Sequence, residues 1–225
     1  MFKRQHDNSP TFGQENLDAL QRHSFEYFLR ETNPSNGLVA DKSKPGSPAS
    51  TAVVGFALAA CPVGMERGWM TRTDALARTL SLLQFFWDSP EGPAPDATGH
   101  KGFDYHFLDM CTDRRAGLCE LSTIDSNFHF SGVLAGAACF DHEDENEQAV
   151  SALADALYRR AIWVWACDGA VTVPRGWTPE GGFPFHSWSS YDEATLLYEL
   201  EWARRRTHCN ARQATGRHVG KLAGR

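Results

Sequence analysis

Apolar residues recur at helical spacing in one stretch after another of this chain, and nowhere does a two-residue alternation last long enough for an extended strand. Residues 14–32 carry Leu17, Leu20, Ser24 and Phe28 on one stripe, and Pro34 and Asn36-Gly37 stop it. A short apolar helix is expected over 49–60, carrying Val53, Phe56, Ala57 and Ala60, with neighbours close on several sides. Residues 71–87 open with Thr71 three positions before Asp74, the spacing of a capping box, and place Leu76, Leu80, Leu83 and Trp87 on one face. Further helices are expected over 122–140, 144–165 and 189–203, the second turning Val150, Leu153, Leu157, Ala161 and Val164 inward. Helix pairs recur about every 70 residues, joined by polar, aromatic loops, which predicts stacked helical hairpins rather than a bundle with short turns. One set of helices then lines the middle, and loops at one end converge on a pocket.

Two loops have the composition of such a pocket. Residues 101–125 gather Tyr105, His106, Asp109, Arg114, Arg115, Glu120 and Asp125; residues 176–193 gather Trp177, Trp188, Tyr191, Asp192 and Glu193. A third loop holds Asp41 and Lys42, and its polar residues could face a cavity. Seven Trp in 225 residues are the compositional outlier. Indole rings stack on the C–H faces of sugars, and they also fill cores. The formal net charge of −6 argues against a nucleic-acid or anionic-membrane partner. Six cysteines without a CxxC spacing read as scattered core thiols, so neither a zinc site nor a redox dithiol is expected. The first residues show no apolar signal-peptide core and no run reaches membrane length, which points to a soluble, cytoplasmic protein.

The acids carry two readings. Glycoside hydrolysis needs one carboxyl that donates a proton and a second that activates water or attacks. Asp125 and Glu193 both stand where helices begin, so each can serve in such a pair. Ser122-x-x-Asp125 and Ser190-x-x-Glu193 also fit capping boxes, in which the acid only satisfies a helix start. Asp192 points elsewhere and reads as solvated or paired with an arginine. His106, between Tyr105 and Phe107, is either a sugar contact or a core histidine. His129 lies one turn after Asp125 and is placed to tune or pair with it. Arg114 and Arg115 either orient a carboxylate or hold their loop. Trp177, Trp188 and Tyr191 are stacking platforms or core residues.

The runs NGLVADKS, VGFALAACPVGMERGWMTR, GFDYHFLDM, CELSTID, LYRRAIWVWA and GWTPEGGFPFHSWSSYDEA resemble the glucoamylase-like family, across residues 14–198. That family includes bacterial endo-β-1,2-glucanases and the glycoside-processing domain of cyclic β-1,2-glucan synthases. The resemblance implies an all-α, (α/α)6-toroid-like fold, with a β-linked glucan, β-1,2 for preference, as substrate and no cofactor. It matches the family's acids to Asp125 and Glu193, and places Glu120, Tyr105 and His106 in motifs that contact sugar. Ser126, Asn127, Phe128 and His129 depart from the family and would reshape the pocket floor. After LLYEL the pattern breaks into EWARRRTH, the expectation of a frame change near Glu201 with only the N-terminal half of the ring present. The expected division is a polar segment 1–13, a helical domain 14–200 and a basic tail 201–225. That tail reads as disordered or non-native sequence, or as a nucleic-acid tail. The alternative to an enzyme is an inactive fragment, or a helical module that binds carbohydrate or protein without cleaving it.

Overall fold

A computed structural model of the protein describes residues 13–184, 186–189 and 192–204. The helices are α1 (Gln14–Arg30), α2 (Thr51–Glu66), α3 (Arg72–Asp88), α4 (Thr123–Ala137), α5 (Glu145–Arg160), the single turn α6 (Trp163–Ala166) and α7 (194–204). Two-residue strands stand between them: β1 (Ala49–Ser50), β2 (Gly99–His100), β3 (Phe103–Asp104), β4 (Phe107–Leu108), β5 (Leu121–Ser122) and β6 (Gly176–Trp177). They pair antiparallel as β1 with β4, β2 with β3 and β5 with β6, and staple loops rather than build a sheet.

Local chemistry sets the helix ends. Thr71 Oγ1 accepts the Asp74 N–H at 3.1 Å and donates to the Asp74 carboxylate at 2.7 Å, as the capping spacing requires. Asp144 caps α5 by accepting from Asn146 and Glu147, and Arg159 and Arg160 sit in its last turn, where the helix dipole favours cations.

Contacts between helices fix their directions. Gly55 of α2 meets Phe128, His129 and Gly132 of α4, and Leu58 meets Gly136, so these two run the same way. Arg72 at the start of α3 holds Glu147 near the start of α5 at 2.7 and 2.8 Å. At the other end Arg160 of α5 donates to the Phe86 and Trp87 carbonyls of α3 at 2.9 and 3.2 Å, so these two are also parallel. Residues 67–71 turn α2 back into α3. The result is an inner layer of parallel helices inside an outer layer of the opposite direction, the arrangement of part of an (α/α)6 toroid. Burial agrees: α4 buries Ile124, Asn127, His129, Phe130, Val133 and Ala137 around its circumference, whereas α5 buries the stripe Val150, Ala154, Leu157.

Several expected faces shift. On α1 the buried residue is Phe25, whose ring sits where a side chain on Gly64 would be, while Leu17 and Leu20 are exposed. On α3 the buried face is Ala75, Thr79, Leu82, Leu83 and Phe86, one position off the expected stripe, and Trp87 is exposed beneath the Arg160 guanidinium. α5 ends at Arg160, so Val164 is 80% exposed instead of core. Helix α7 starts at 194, later than the expected 189, and ends at 204, one residue past the expected 203; the rest of the basic tail, and Cys209, lie outside the described residues. Cys61 and Cys167 are buried as core thiols, but Cys111 is exposed.

A polar cluster lies under the β2–β3 hairpin. Asp104 accepts from His129 Nδ1 at 2.8 Å, and Glu91 accepts the Gly102 N–H at 3.0 Å, with Arg160 at 3.5 Å. Burial, with the Asp104 charge beside it, pushes the Glu91 carboxyl up to about 7 from 4.5. The folded protein therefore holds this proton more tightly than the unfolded chain, and stability drops as pH rises from 4.5 through 7. Thermal melts across that window should show Tm falling with pH, with a flatter slope in Glu91→Gln; parallel slopes in the two proteins would contradict this.

Candidate active site

The strands bring the loops to one end of the inner layer. β1 leads directly into α2 and β5 into α4, so both helix N-termini open where β4 and β6 pair with those strands. A cavity of about 580 Å³ lies there. Ser50 and Val53 from the start of α2, Ser122 and Asp125 from the start of α4, and Glu193 just ahead of α7 all line it. Asp125 and Glu193, far apart in sequence, thus share one concave surface.

Asp125 is both a cap partner and a cavity residue. Its N–H donates to Ser122 Oγ at 3.2 Å, and Ser122 Oγ donates back to Oδ2 at 2.5 Å, leaving Oδ1 directed at His106 Nε2, 3.6 Å away. The side chain is only 14% exposed. Burial raises its pKa, opposed by the Ser122 hydrogen bond and the His106 charge. Glu193 is exposed on the cavity rim. The cap of α7 is Asp192, whose carboxylate accepts the Ala194 N–H at 3.0 Å while its carbonyl accepts from Thr195. That corrects the reading of Asp192 as a solvated or arginine-paired group, and it leaves the Glu193 side chain at the cavity; Ser190 of the expected box lies outside the described residues.

His106 and Glu120 form the next wall. Their backbones pair, the His106 N–H donating to the Glu120 carbonyl at 2.9 Å, and His106 Nδ1 lies 3.0 Å from Glu120 Oε1. That hydrogen bond pulls the Glu120 pKa down. Asp41 lines the same cavity, as the loop composition suggested.

The aromatic candidates divide. Trp188 lines the cavity and donates from Nε1 to Thr123 Oγ1 at 3.1 Å. Trp177 lines a neighbouring hollow of about 470 Å³ that shares Glu120 and Arg175 with the first cavity. Tyr105 has no exposure at all: its ring packs under the Arg115 guanidinium at 4.8 Å, so it is a core residue and not a sugar contact. Tyr191 lies outside the described residues. Arg115 takes both roles considered for it, donating from Nε to the Cys119 carbonyl at 2.6 Å and to both Glu180 oxygens at 2.8 and 3.1 Å. His129 does not tune Asp125; it is buried against Asp104 on another side of α4. Of residues 126–129, only Phe128 reaches the cavity, where its ring meets the half-exposed Phe56 at 5.3 Å.

Sequence reasoning passed over Arg175, which stands over the Trp188 ring at 4.8 Å between the two hollows. A lone arginine in a loop gives no periodic or motif signal. A larger hollow of about 860 Å³ beside α1 and α3, lined by Phe25, Phe28, Trp69 and Leu82, holds neither candidate acid. Among the described residues no three His, Cys, Asp or Glu side chains are grouped to hold a metal, and no helix is long and apolar enough to cross a membrane.

Known proteins share this fold. The chain is 26% identical over 201 residues to an exo β-1,2-glucooligosaccharide sophorohydrolase (non-reducing end) of Parabacteroides distasonis. A solved glucoamylase candidate from Bacteroides uniformis superposes with a TM-score of 0.75 at 25% identity, over 85% of this chain and 47% of that one. This chain has a glucoamylase-like fold. The β-1,2-glucanase of P. distasonis (TM-score 0.71, 22% identity, 82% of this chain and 26% of that one) has the same fold. So does the endo-β-1,2-glucanase of Chitinophaga pinensis, solved with sophorotriose and glucose (0.68, 21%, 81% and 45%). The match to the sophorohydrolase covers 85% of this chain but only 27% of that relative, so the chain spans about a quarter of that protein's length. No family model matches the chain.

Proposed function

We propose that the chain carries a glycoside-hydrolase site for β-1,2-linked glucan, with Asp125 and Glu193 as its carboxyl pair. The observation that carries this reading is that the two acids line one cavity, in a fold shared with β-1,2-glucanases. Asp125 suits the proton donor, because burial favours its protonated form and its Ser122 hydrogen bond holds it in place. Glu193 stands on the open rim, where water reaches it, and suits the partner that activates the attacking water. Glu120, His106 and Arg175 offer hydrogen bonds to sugar hydroxyls; Trp188, with Phe56 and Phe128, offers apolar faces for the rings. Trp177 extends the same surface past Glu120.

A second reading is a module that holds glucan without cleaving it. The exposure of Glu193 and of Phe56 favours it, since an open cleft holds a sugar less firmly in line for reaction. Incubation with linear β-1,2-glucan, with reducing ends counted and Trp fluorescence followed, separates the two. The hydrolase reading expects both new reducing ends and a fluorescence change, and the binding module expects only the second. Neither signal would overturn both.

A further inference from the structure

A two-carboxyl reaction does not account for the histidine standing between two acids of the cavity. His106 is fixed on several sides: its N–H donates to the Glu120 carbonyl at 2.9 Å, its carbonyl accepts from Thr51 at 3.1 Å, and its ring stacks on Phe107 at 3.8 Å and 16°. Nδ1 then lies 3.0 Å from Glu120 Oε1, and Nε2 lies 3.6 Å from Asp125 Oδ1. We propose that His106 is a positioning residue, an imidazolium bridge that ties Glu120 to Asp125 and sets how readily Asp125 holds its proton.

Two flanking carboxyl groups favour the charged ring. Nδ1 is within hydrogen-bond distance of Glu120 and Nε2 within ion-pair distance of Asp125, so a positive charge on the ring is drawn to both carboxylates at once. Burial pulls the His106 pKa down, but the Glu120 hydrogen bond and the Asp125, Glu120 and Asp41 charges outweigh it, and the net shift is upward. Asp125 responds in the opposite sense. Burial and the Glu120 charge raise it, and the Ser122 hydrogen bond and, after it, the His106 charge restrain that rise. Glu193 and Arg175 are the other charged groups on the cavity wall. The bridge rests on the hydrolase reading only for its kinetic consequence; the proton linkage stands without it.

The test uses the whole chain and needs no substrate. In the wild type, nitrogen NMR should show the His106 ring doubly protonated above pH 6.5, and a ring already neutral there overturns the proposal. In His106→Asn, which keeps an amide donor but no charge, carboxyl-carbon NMR should show Asp125 titrating about 1 unit higher than in the wild type. Asp125→Asn assigns the signal. An unmoved Asp125 curve in a folded His106→Asn protein overturns the bridge. Where glucan is cleaved, the same variant should shift the pH profile of kcat by that amount. A role confined to loop packing would move neither titration. If the wild type cleaves no glucan while the titrations behave as stated, the hydrolase reading falls and the bridge remains.

Discussion

Gly132→Ala is expected to destabilise the fold by about 3 kcal/mol or more, because its methyl group would make the shortest clash of any described glycine. A methyl group on Gly132 would lie 1.9 Å from the Gly55 carbonyl oxygen, 2.4 Å from its carbon and 2.5 Å from its Cα. All three are backbone atoms, so no side chain can swing aside and α2 and α4 must part. Those helices carry Phe56 and Phe128 into the cavity and begin at its wall, so the damage reaches the site. Gly92→Ala is the control, because nothing lies within 4 Å of a methyl group there. Denaturant unfolding should show a much lower midpoint for the first variant and almost none of that change for the second. Equal effects would mean that the α2–α4 crossing is not close-packed.

Asp125→Asn and Glu193→Gln should each lower glucan cleavage by about a thousandfold, the scale of losing a general acid or base. Asp192→Asn should stay within a few-fold of wild type. Asp192 is adjacent to Glu193 and equally acidic, yet it spends its carboxylate on the Ala194 N–H at the start of α7, and asparagine caps a helix about as well. The contrast between neighbouring acids therefore separates site chemistry from local charge. Reducing-end assays on β-1,2-glucan with the three variants measure it, and comparable losses at positions 192 and 193 would count against Glu193 as a catalytic residue.

The helical architecture was legible because burial imposes a period on the sequence. Thr71 and Asp74 marked the start of α3, and the apolar stripe of α5 was found with Val150 and Leu157 in place. Faces were misread where a glycine, not a periodic residue, decided the packing: Gly64 admits Phe25 and leaves Leu17 and Leu20 to solvent. The site was legible in part for a similar reason. Asp125, His106, Glu120 and Trp188 sit in dense polar and aromatic runs and line the cavity. Composition cannot tell a ring that faces the cavity from one beneath it, so Tyr105, buried under Arg115, resembled its neighbour His106. Nor could spacing decide that Asp192 and not Glu193 caps α7, since both stand before the helix and only the backbone direction distinguishes them.

The central claim is that Asp125 and Glu193 act on one glycosidic bond. A crystal structure of Glu193→Gln with a bound β-1,2-gluco-oligosaccharide tests it most directly. The account predicts one glycosidic oxygen within hydrogen-bond reach of Asp125, with the residue-193 side chain across the sugar ring and the two groups no more than about 10 Å apart. Sugar seated in the hollow beside α1 and α3, or a chain that passes Asp125 without approaching residue 193, would contradict it.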